Sequence, residues 1–80
     1  MEEQRASQRH RTLKTATISF DRGAGIDCVV RNVSETGACL EVVSPIGIPD
    51  YFTLVIVMDN VQRACHVAWR SARRIGVTFD

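Results

Sequence analysis

Two arginines at a spacing of four, Arg5 and Arg9, stand one hairpin's length ahead of a short polar run, Asn32-x-Ser34-x-x-Gly37. A guanidinium fork grips paired phosphate oxygens and the two Hoogsteen acceptors of guanine, and its flat face stacks on aromatic rings. A lysine does this poorly. The second run has the make-up of a tight turn. Asn32 and Ser34 offer groups that bond either to nearby backbone or to the edge of an incoming purine, and Gly37 lets the backbone turn where a Cβ would be strained. Each run also has a plainer meaning on its own, solvated charges for the first and a self-bonded turn for the second. His10 and Arg11 lie beside the arginines, and Arg11 is the better placed by chemistry to supplement a phosphate contact.

The rest of the chain must hold these residues in place. Residues 1–12 carry almost no apolar side chains and read as a flexible, arginine-bearing tail, with a folded domain over 13–80. Ala16, Ile18 and Phe20 alternate with polar neighbours, as a half-buried strand requires. After a glycine-bearing turn at Asp21 to Gly25, Ile26, Cys28 and Val30 continue that face on a second strand ending at Asn32. A third strand turns Ala38, Leu40 and Val42 inward. Pro45, Gly47 and Pro49 mark Ser44 to Asp50 as a loop. Tyr51 to Met58 reads as a long fourth strand, apolar enough for contact on both faces, ended by a hairpin turn at Asp59-Asn60. Cys65, Val67 and Trp69 share one face of a fifth strand, which makes Trp69 a core residue, and Ile75, Val77 and Phe79 mark a sixth. Six short strands with turns between them predict an all-β fold, a small antiparallel barrel or sandwich.

Composition narrows the function further. With 45% hydrophobic residues, 24% charged and a net charge of +1, the chain lacks the strongly basic balance of a DNA- or RNA-binding domain. Its basic residues instead form two local groups, one from Arg5 to Lys14 and one from Arg63 to Arg74, the latter expected to be mostly solvated. The longest apolar run is far below the roughly 18 residues of a membrane span, and no greasy leader opens the chain, so a cytoplasmic protein is expected. Three scattered cysteines without C-x-x-C spacing predict reduced thiols, and Cys65 and His66 point to opposite strand faces, so no metal site is expected. No pair of residues with acid-base or nucleophile geometry emerges, so no enzyme is expected, and no cofactor.

The order of these features resembles the PilZ family over about Arg5 to Phe79. An arginine-bearing tail comes first, then a hairpin closing on Asn32-Val33-Ser34-Glu35-Thr36-Gly37, then Val67-Ala68-Trp69-Arg70 and Ile75-Gly76-Val77-Thr78-Phe79. The resemblance implies a PilZ-type, split-barrel-like β-barrel that receives cyclic di-GMP where tail and barrel meet. By the same resemblance Arg5 and Arg9 clamp phosphates and guanine bases, Asn32 and Ser34 meet a guanine edge, and Gly37 shapes the turn. The chain departs from the fuller family pattern at Asn32, where many relatives carry aspartate and an amide offers one acceptor in place of two. It departs again at Gln4, where many carry arginine, and it leaves no sequence for the C-terminal helix of many members. The expected function is that of a cyclic di-GMP receptor, a monomer or weak dimer whose tail orders on the ligand and signals to a separate protein. The alternative is an interaction module of the same fold that binds no nucleotide and docks through Tyr51 to Met58.

Overall fold

The computed structural model describes residues 10–21, 23 and 25–80. Six strands follow one another: β1 (His10–Ser19), β2 (Gly25–Val33), β3 (Gly37–Glu41), β4 (Tyr51–Ile56), β5 (Val61–Arg70) and β6 (Arg74–Phe79). All pairings are antiparallel, and the order β1-β2-β3-β6-β5-β4 closes into a barrel through Thr17, Ile18 and Ser19 of β1 against Val55, Leu54 and Thr53 of β4. The closing ladder is short, three residue pairs between β1 and β4.

Period-two alternation supplies the core. Each strand contributes one side chain sealed from solvent: Ile18, Val30, Leu40, Leu54, Cys65 and Ile75. Ile48, from the loop between β3 and β4, is buried with them, and Phe20, Val33 and Phe79 pack at the margins. Among the described residues no polar or charged side chain is buried, and no helix is long and apolar enough to cross a membrane.

Five boundaries or faces differ from expectation. Strand β1 begins at His10, ahead of Leu13, because His10 and Arg11 continue the ladder opposite Val33 and Asn32. Backbone pairing recruits them, and hydrophobic patterning gives no sign of that. Strand β2 likewise runs to Val33. Strand β4 stops at Ile56, and Val57–Asp59 form a single 3-10 turn closed by Asn60 in the left-handed region (φ 56°), whose N–H donates to the Val57 carbonyl. An Asn tolerates that conformation, and the Lys14 ammonium reaches Asp59 at 2.6 Å across the turn. Within β4 only Phe52, Leu54 and Ile56 are buried, so the strand has one core face and not two. Finally, Trp69 is not in the core: it lies outside the barrel, 47% exposed.

Candidate functional site

The outward turn of Trp69 has a local cause. Val67 pairs with Val77, yet Trp69 pairs with Gly76, so Ala68 is an extra residue with no counterpart on β6. Such a bulge swaps the faces of the residues that follow it. On β2 the same happens at Arg31: Val30 pairs with Leu40 and Asn32 with Cys39, so Asn32 leaves the inward parity of Cys28 and Val30 and faces out, while Val33 turns in. A third irregularity, between Arg11 and Lys14, interrupts β1.

These three bulges flank one line across the outer wall. Arg11 pairs with Asn32, Asn32 with Cys39, Cys39 with Gly76, and Gly76 with Trp69. Each step between neighbouring strands is about 4.8 Å. Gly76 makes room for the indole, since a Cβ there would stand 2.1 Å from the Trp69 Nε1 atom. The result is a shallow shelf with an aromatic face at one end and an amide-bearing residue towards the other.

The Ser34 to Gly37 turn sits at the rim of that shelf. The Ser34 N–H donates to the Gly37 carbonyl at 2.8 Å, and the Thr36 N–H donates to the Ser34 hydroxyl at 3.3 Å. The same hydroxyl lies 3.2 Å from the Thr36 hydroxyl and 3.4 Å from the Gly37 carbonyl, so it is engaged in forming the turn. Phe79 donates its N–H to the Thr36 carbonyl, which ties the turn to β6. Gly37 is required for a reason other than backbone handedness. Its φ is not positive, but a Cβ would stand 2.1 Å from the Val77 carbonyl oxygen on the adjacent strand.

Of the residues expected to form the site, the fold gathers Asn32, Ser34 and Gly37 at one end of the β2–β3 hairpin. Arg11 lies beside them by its backbone, while its side chain, and the whole of Arg5 and Arg9, fall outside the described residues. The β1 register fixes where the described part of the chain begins: His10 is opposite Val33, one residue from Ser34. Sequence periodicity missed Trp69 and put it inside. Its signal was the Trp69–Gly76 combination, a large ring opposite a residue with no side chain.

Elsewhere the side chains carry little site chemistry. Burial and the nearby Asp27 carboxylate push the Cys28 thiol from 9.0 to about 12, and burial chiefly, with Asp80, pushes Cys65 to about 11, which leaves both far from the reactive thiolate. Among the described residues no three His, Cys, Asp or Glu side chains converge as a metal would need.

A family model, the PilZ domain, matches residues 3–80. No curated protein matches the chain at a significant level. A closed six-stranded barrel with its polar turn between β2 and β3, matched over essentially its full length, places the chain in one family: it is a member of the PilZ domain family.

Proposed function

We propose that the protein is a receptor for cyclic di-GMP, which its arginine-bearing N-terminal segment and the β2–β3 turn hold between them against the outer shelf. PilZ domains are generally cyclic di-GMP-binding modules and serve as binding and adaptor domains, not known as enzymes. The observation that carries the proposal for this chain is the pairing of His10, the residue next in sequence after Arg9, with Val33, one residue from the Ser34–Gly37 turn. Arg5 and Arg9 then clamp phosphates and stack on guanine, with Arg11 a supplementary contact. Asn32 and Ser34 meet a guanine edge. The Ser34 hydroxyl must share or exchange its turn bonds to do so. Trp69 offers a ring face, half exposed, on which a base stacks. Ordering of the segment on the ligand creates a new surface for a protein partner.

Calorimetric titration with cyclic di-GMP tests this. The wild-type chain is expected to bind with an affinity that falls as salt rises, and Arg9→Ala to lose most of it. Trp69→Ala is expected to weaken binding by about 1–3 kcal/mol, the usual worth of a base stacked on an aromatic ring. Trp69 is the only tryptophan in the chain, so its emission should change in the same titration. An unchanged isotherm for Arg9→Ala would sink the arginine clamp.

A second reading, docking without nucleotide, is favoured by one observation. Val43, Val57 and Met58 are 92%, 79% and 82% exposed around a hollow of about 780 Å³. If the titration shows no heat and no spectral change, this is the reading that remains.

A further inference from the structure

The bulge that turns Asn32 outward also sets Arg31 next to it on the same outer wall, since Arg31 is the extra residue between Val30, opposite Leu40, and Asn32, opposite Cys39. In an unbroken strand, neighbours point to opposite faces and the two side chains would never act together. Among the described residues Arg31 has a single polar contact: one guanidinium nitrogen lies 3.1 Å from one oxygen of Glu41, with the two side chains 39% and 36% exposed. A guanidinium has five N–H donors, and the others of Arg31 have no acceptor among the described residues. Glu41 itself belongs to the next outward position of β3, two residues beyond Cys39. A half-solvated, one-point ion pair of this kind stabilises a fold very little.

We propose that Arg31 is a further anion-binding residue of the site and that Glu41 is its built-in competitor, occupying the guanidinium until a ligand phosphate takes its place. The inference rests on the reading of the protein as a receptor for cyclic di-GMP. A phosphate offers two oxygens to the fork where Glu41 presents one, and paired charge-assisted bonds exceed a single one. The exchange is favourable because the displaced carboxylate, already more than a third exposed, returns readily to water. Glu41 thereby lowers affinity twice over, by detaining Arg31 and by repelling an anionic ligand. It also filters the ligand, because an uncharged nucleoside gives no incentive to break the pair.

Four chains titrated with cyclic di-GMP in a calorimeter decide the matter: Arg31→Ala, Glu41→Gln, the double variant, and wild type, with Arg9→Ala alongside. Arg31→Ala is expected to bind about tenfold more weakly than wild type and Glu41→Gln several-fold more tightly. In the double variant most of the gain from Glu41→Gln should vanish, because there is no guanidinium left to release. Thermal melting of each variant close to that of wild type shows that the fold stands. If Arg9→Ala binds weakly while Arg31→Ala binds as wild type does, Arg31 is no ligand residue and only this inference falls. If Glu41→Gln leaves affinity unchanged, or the double variant keeps its gain in full, the competitor role is overturned. No binding by the wild-type chain overturns the inference together with the reading beneath it.

Discussion

Gly37 and Gly76 both lack a side chain for want of room, yet against obstacles of different stiffness. A Cβ on Gly37 would meet the Val77 carbonyl, part of the β3–β6 ladder, and a backbone cannot step aside without loosening the barrel. Gly37→Ala is therefore expected to cost about 1–3 kcal/mol, as overpacking does. In a domain of this size each kcal/mol lowers the melting temperature by about 4–8 °C. A Cβ on Gly76 would instead meet the indole of Trp69, a half-exposed ring that can swing outward. Gly76→Ala should leave melting nearly unchanged and weaken cyclic di-GMP binding about as much as Trp69→Ala does. Melting curves and isotherms of the two variants separate the cases. Equal melting losses would show that the indole is pinned, and with it the strand.

Strands were legible in this chain wherever alternation was clean, and the inward sets Ile26-Cys28-Val30 and Ala38-Leu40-Val42 are the observed ones. Bulges were not legible, because one extra residue leaves no mark on composition and shows only when a partner strand fixes the register. That is why Trp69, with the parity of Cys65 and Val67, was expected inside, and why nothing distinguished Arg31 from any outward strand residue. The turn of the candidate site was readable from Asn32, Ser34 and Gly37, since such residues act locally. The role of Gly37 was not, since the obstacle belongs to a strand forty residues further on. Deleting Ala68 tests the element directly. Trp69 then follows the inward Val67 and still falls on the outer face, opposite Gly76, so the indole should stay exposed and its emission should remain that of a solvated ring. A blue-shifted emission, as of a buried indole, would show that the extra residue itself holds the ring outside.

The barrel as a whole encloses two thiols that titrate only at high pH. Cys28 and Cys65 have folded-state values of about 12 and about 11 against 9.0 ordinarily, so the folded chain keeps protons that the unfolded chain releases. Stability from this source is complete below about pH 9 and falls as pH rises through the folded values. Denaturant midpoints measured from neutral to strongly alkaline pH should decline over that interval, less so in a Cys28→Ala, Cys65→Ala chain. Loss beginning well below pH 9 would need another cause. Strand order has a consequence for partly folded chains. Strand β6 is wedged between β3 and β5, so a chain in which residues 74–79 have come away presents two raw ladders side by side. Until that one segment docks and zips both at once, the polypeptide is at its stickiest, and self-association in crowded solution should peak in that state.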